Sequence, residues 1–76
     1  MTYVIGYPII VEQADDGGFG AWSPDLPGCV ALGESVDECL AEMRDAVALY
    51  LDVLRERGEE VPQPRVIQAV TVTPAA

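Results

Sequence analysis

SVDECLAEMRDAVALYLDVLRERG, residues 35–58, carries a complete set of helix signals. Ser35 followed three residues later by Glu38 is a capping box, which satisfies backbone N–H groups that the first turn leaves unpaired. Glu34, Asp37 and Glu38 put negative charge at the positive end of the helix dipole, and Arg55 and Arg57 put positive charge at the other end. Gly58 can take the positive φ that commonly follows a last helical turn. Together these signals predict one helix over about residues 35–57. At ~100° per residue, Val36, Cys39, Leu40, Met43, Val47, Tyr50, Leu51 and Leu54 fall within an arc of roughly 120°. That arc is the core face. Leu49 and Val53 lie outside it, beside Ala46. They are either two scattered surface residues or a second apolar stripe that meets another chain.

An amphipathic helix needs a surface to cover, and the residues before it supply strands. In the stretch 3–12, Tyr3, Ile5, Tyr7, Ile9 and Val11 alternate on one face while Val4 and Ile10 occupy the other. Pro8 has no N–H for a ladder, so it points away from a partner strand or marks a bulge. Asp15-Asp16-Gly17-Gly18 reads as a hairpin tip, because Asp side chains bond local backbone and glycine accepts positive φ. A second reading gives Asp15 and Asp16 to a metal or a partner protein. Residues 18–23 form the second strand, with the single tryptophan, Trp22, as either a core residue or an interface anchor. Pro24-Asp25-Leu26-Pro27-Gly28 is a stiff turn, residues 30–33 a short third strand, and β-branched residues 66–73 a fourth. The fold class is α+β, in the order β-β-β-α-β, as a single domain over residues 1–76.

Composition narrows the function. A chain of 76 residues buries only about 60% of its unfolded surface. Half of its residues are nonetheless apolar, so some of that surface is expected to be covered by a second copy, as a homodimer or homotetramer. Net charge is −9, from thirteen carboxylates against four arginines. Such a field repels nucleic acid and attracts basic proteins, so no direct DNA binding is expected. Histidine and lysine are absent, which removes the commonest general base and the commonest metal ligand. Two cysteines without histidine do not make a structural zinc site within one chain. The expectation is a non-enzyme without cofactors. With no leader-like or membrane-spanning stretch, a cytoplasmic protein with reduced Cys29 and Cys39 is expected.

Three motifs stand in a specific order: Tyr7-Pro8-Ile9-Ile10-Val11-Glu12, Asp16-Gly17-Gly18-Phe19, and Pro24-Asp25-Leu26-Pro27-Gly28-Cys29. The capped helix follows, with Tyr50-Leu51 near its end. In this order they resemble the N-terminal domain of the HicB-like antitoxins, over about three quarters of the chain from Tyr7 to Pro64. The resemblance implies a truncated RNase H-like arrangement, an antiparallel three-stranded meander with one long helix packed on it and a further strand. It implies self-association and a partner, the HicA toxin, a small basic RNA-cleaving protein that is blocked by direct binding. Typical HicB antitoxins continue into a DNA-binding domain, for which the residues after Pro64 are too few. The residues assigned to partner binding are Glu12, Asp15, Asp16 and Asp25 for charge, and Trp22, Leu49 and Val53 for apolar contact. The alternative function is an orphan oligomeric domain with a structural or ligand-binding role and no toxin partner.

Overall fold

The computed structural model describes residues 6–75. Three strands, β1 (Ile10–Gln13), β2 (Phe19–Ser23) and β3 (Leu26–Gly33), are followed by one helix, α1 (Val36–Glu56). The strands form an antiparallel meander in the order β1-β2-β3, and α1 packs across one face.

The helix boundaries follow from the predicted caps. Ser35 adopts an extended backbone, and its hydroxyl accepts the Glu38 N–H at 3.1 Å. At the other end Gly58 takes φ 72°. Its N–H donates to the Arg55 carbonyl and that of Glu59 to the Leu54 carbonyl, the paired closure of a Schellman motif.

The first hairpin also follows its chemistry. Ala14 N–H donates to Gly18 O at 2.8 Å, Gly17 stands at φ 92°, and the Asp16 carboxylate accepts the Gly18 N–H at 2.9 Å.

Three strand assignments need correction. The first strand was expected over 3–12, and pairing is found only from Ile10 to Gln13. Residues 3–5 lie outside the described residues. The register Ile10↔Trp22 would place Pro8 opposite Pro24, a rung without either N–H, so the ladder stops. The third strand was expected over 30–33 and begins at Leu26 instead. The turn is tighter than the motif implied. Only Pro24 and Asp25 separate the strands, and a bulge between the pairs Ser23↔Leu26 and Trp22↔Val30 absorbs Pro27, Gly28 and Cys29, with Gly28 at φ 81°.

The fourth strand, expected over 66–73, is not formed, so the order among the described residues is β-β-β-α. Its β-branched sequence is suited to a sheet, yet strand propensity is realised only where a neighbour supplies hydrogen bonds. No described strand lies alongside it.

The core lies between sheet and helix. Ala21, Leu26, Cys29, Ala31, Cys39 and Met43 are buried, with Tyr7, Ile9, Val11, Phe19, Val47, Tyr50 and Leu51 packed around them. Tyr7, Ile9 and Val11 thus share one face, as their alternation predicted, and that face turns inward.

Candidate functional site

The sheet is amphipathic in an inverted sense. Its helix-facing side carries small residues along the middle of β2 and β3, Ala21, Ser23, Cys29 and Ala31, flanked by Val11, Phe19 and Leu26. Its outer side carries Ile10, Trp22, Val30 and Leu32, the bulkier set. Small inward residues let α1 approach closely. The outward set is left open, with Trp22 38%, Val30 62% and Leu32 77% exposed. Trp22 stands directly opposite Val30, and Leu32 opposite Gly20, which has no side chain to cover it.

Carboxylates border this apolar floor. The Trp22 indole N–H donates to Glu12 Oε1 at 2.5 Å, which ties the ring to the acidic border. A shallow groove runs over the face between Glu12, Trp22, Val30, Leu32, Glu34 and Glu38, with Asp16 at its hairpin end. No basic side chain lines it. A site of this kind has an apolar centre that gains from desolvation and an acidic rim that selects a cationic partner.

The seven residues assigned from sequence divide among three places. Glu12, Asp16 and Trp22 come together at this groove, and Asp15 sits exposed at the hairpin tip beside it. Asp25 lies in the turn at the opposite end of β2. Its two carboxylate oxygens accept the backbone N–H groups of Arg65 and Val66, at 2.9 and 3.3 Å. Leu49 and Val53 lie on the flank of α1, where they line a second groove with Gly28, Cys29 and Ala46 that shares Val30 with the first. Leu49 is 67% exposed there.

Sequence reasoning passed over Val30 and Leu32 as outward residues. The signal was present: Cys29 and Ala31 alternate with them, and the smaller pair fits the close helix. It also passed over two tyrosine anchors. Tyr7 donates its hydroxyl to the Pro62 carbonyl, and Tyr50 donates to the Pro27 carbonyl at 3.0 Å. A tyrosine on a half-buried face needs such a partner for its hydroxyl. Burial, and then the nearby Asp25 carboxylate, push the Tyr7 phenol above its ordinary value, with Arg55 opposing.

Both cysteines are buried free thiols. Burial pushes the Cys29 thiol up, so it is held protonated and unreactive. Among the described residues no three His, Cys, Asp or Glu side chains converge as a metal site, and no helix is long and apolar enough to cross a membrane.

Comparison with known proteins agrees with this architecture. Residues 7–75 match the family described as HicB_like antitoxin of bacterial toxin-antitoxin system. The UPF0150 protein ssr1765 of Synechocystis sp. is 30% identical over 64 residues, covering 84% of this chain and 81% of that protein. Antitoxin HicB 1 of Photorhabdus laumondii is 29% identical over 58 residues, 76% of this chain but 37% of its own length. A 14.9 kDa protein of Haemophilus phage HP1 is 31% identical over 62 residues, 82% of this chain and 46% of that protein. The chain therefore spans less than half the length of these last two relatives. The crystal structure of the N-terminal domain of Burkholderia pseudomallei antitoxin HicB superposes with a TM-score of 0.67 at 34% identity, covering 72% of this chain and 65% of that one. Three antiparallel strands, one capped helix across them and a match over nearly the whole described length lead to one assignment: the chain belongs to the HicB-like antitoxin family.

Proposed function

We propose that this chain binds and neutralises a small basic RNase toxin of the HicA type, and that it acts by covering the toxin's RNA-binding surface rather than by catalysis. The observation that carries this reading is the outer face of the sheet. An apolar floor of Trp22, Val30 and Leu32 stands inside a rim of Glu12, Asp16, Glu34 and Glu38. The family membership supplies the context. An RNase must present cationic groups to phosphates, so a carboxylate-rimmed surface competes for the same groups. The charge of −9 steers the two proteins together, and the apolar floor supplies the slow dissociation that lasting inhibition requires. We leave Asp25 out of this contact, since its carboxylate already accepts the amides of Arg65 and Val66 at the end of β2 away from the first hairpin.

The test is co-expression with a small basic HicA-type protein, the one encoded beside this chain if there is one. Growth arrest by that protein is expected to be relieved by the wild-type chain and not by a Trp22→Ala, Leu32→Asp variant. Toxicity that persists with the wild-type chain in excess rules out the antitoxin reading and favours an orphan oligomeric domain.

A further inference from the structure

Gly20 lies inside β2, where a glycine weakens the strand and commonly marks a bulge or a close approach. Neither reason holds here. Its φ is not positive, and the bulge of this sheet falls between Trp22 and Ser23. A Cβ added to Gly20 would meet only Leu32 Cδ2 at 3.6 Å and the Ala31 carbonyl at 3.8 Å, ordinary contacts. The fold does not require a glycine at this position, so the space above it invites a ligand.

The register defines that space. Gly20 pairs with Glu12 on one side and Leu32 on the other, and Trp22 is the next residue of β2 on the same face. The missing side chain therefore leaves a notch in the outer face between the Glu12 carboxylate, the Leu32 side chain and the Trp22 indole, within the acidic groove. Glu12 Oε1 accepts the indole N–H, which ties two of the walls together, while Oε2 accepts no hydrogen bond among the described residues. One unused carboxylate oxygen thus stands beside an aromatic ring and an aliphatic side chain.

On the reading that the outer face is the toxin's seat, we infer that the notch above Gly20 takes one arginine side chain of that toxin. Its guanidinium stacks on Trp22 and donates to Glu12 Oε2. The walls select this group. A guanidinium is planar and weakly hydrated, so it gains both from an indole and from a carboxylate. An ammonium is compact and strongly hydrated, and loses more than it gains between Trp22 and Leu32. An apolar side chain leaves the Glu12 oxygen unpaired, and an anion is repelled by Asp16, Glu34 and Glu38 around the groove. Gly20 is then a specificity-determining residue: any side chain there occupies the place of the guanidinium.

The test uses the whole chain and reads Trp22, its single tryptophan, by fluorescence. Titration with Nα-acetyl-arginine amide in the millimolar range is expected to change the emission saturably, and Nα-acetyl-lysine amide is not. Gly20→Val fills the notch with a side chain suited to a strand, so it should abolish the response while the urea midpoint holds or rises. Gly20→Ala adds only the Cβ and its ordinary contacts, and should weaken the response even if the valine variant fails to fold. With a small basic HicA-type toxin as ligand, Gly20→Val is expected to weaken binding by at least about tenfold. A toxin that does not bind the wild-type chain, beside an arginine response lost in the Gly20 variants, would sink the antitoxin reading and keep the notch as an arginine site. The notch is overturned, and the antitoxin reading kept, if the toxin binds wild type and Gly20→Val alike. It is equally overturned if arginine gives no saturable response, if lysine matches it, or if both Gly20 variants retain it. A dimer of this chain that is lost in Gly20→Val would give the notch to an arginine of a second copy and overturn its assignment to the toxin.

Discussion

Gly33 closes β3 directly against the first turn of α1, so that a Cβ on it would stand 2.6 Å from the Cys39 nitrogen and 2.9 Å from its Cα. Those are helix backbone atoms and have no rotamer by which to yield. The close approach goes with the small helix-facing residues Ala21, Ser23, Cys29 and Ala31 in the middle of the sheet, with the bulkier Val11, Phe19 and Leu26 set around them. Gly33→Ala is therefore expected to destabilise the fold by about 1–3 kcal/mol, the usual range for overpacking. Urea denaturation checks it, and an unshifted midpoint would mean that the start of α1 moves freely.

Asp25 is expected to act on the segment that follows the helix. Asp25→Ala removes both acceptors of the Arg65 and Val66 amides. A loss of about 1 kcal/mol is expected for these partly exposed bonds. Hydrogen exchange reads the effect locally, since the two amides should exchange much faster in the variant while Cys39 and Met43, in the buried core, stay protected. Equal exchange in both proteins would show that the carboxylate does not hold the segment.

The helix was legible because its signals are local and redundant. Ser35, Glu38, Arg55 and Gly58 each speak for one end, and Cys39 with Met43 marks the buried face. Alternation grouped Tyr7, Ile9 and Val11 on one face, but which face turns inward is decided by where α1 packs. The limits of β1 and β3 were less accessible, because they depend on which residue opposes which: Pro8 meets Pro24 only once the register is known. Residues 66–73 have strand composition but no described partner, and composition does not report a partner. At the groove, the charges near the hairpin were readable from Glu12, Asp15 and Asp16. Of the floor only Trp22 was singled out, because Val30 and Leu32 look like core residues until the small size of Ala21, Cys29 and Ala31 is seen to draw α1 to the other side.

Alkaline pH gives a test with a defined sign. The Tyr7 phenol is raised above 10.0 by burial first and by Asp25 second. The folded state thus binds this proton more tightly than the unfolded state. The resulting stabilisation is fully present below the unfolded value and is lost as pH rises above 10 toward the folded value. Tyr7→Phe removes the titrating group and its bond to the Pro62 carbonyl. The variant is expected to be about 1 kcal/mol less stable at neutral pH and to lose less stability above pH 10 than the parent. Cys29 is also raised by burial, but it titrates in both proteins and cancels in the comparison. Parallel stability curves for the two proteins between neutral and strongly alkaline pH would show that Tyr7 is not the group responsible.

The outer sheet face separates two kinds of contribution to toxin binding. Glu12 is an exposed rim carboxylate that also accepts the Trp22 indole N–H, whereas Trp22, Val30 and Leu32 form the floor. Rim charges act mainly on the encounter, and desolvated anchors act mainly on dissociation. With a small basic HicA-type toxin as ligand, Asp15→Asn is expected to lower the association rate and to reduce its dependence on salt, with little change in dissociation. Trp22→Ala is expected to cost about 2 kcal/mol, nearly all of it as faster dissociation. Glu12→Gln should show both effects, since it removes a charge and loosens the indole. Leu49→Glu lies in the groove along α1, outside the lining of the outer face, and should leave toxin binding unchanged. Surface plasmon resonance at two salt concentrations resolves these rates. If Leu49→Glu weakens binding as strongly as Trp22→Ala, the toxin sits on the helix flank and the outer sheet face is not its site.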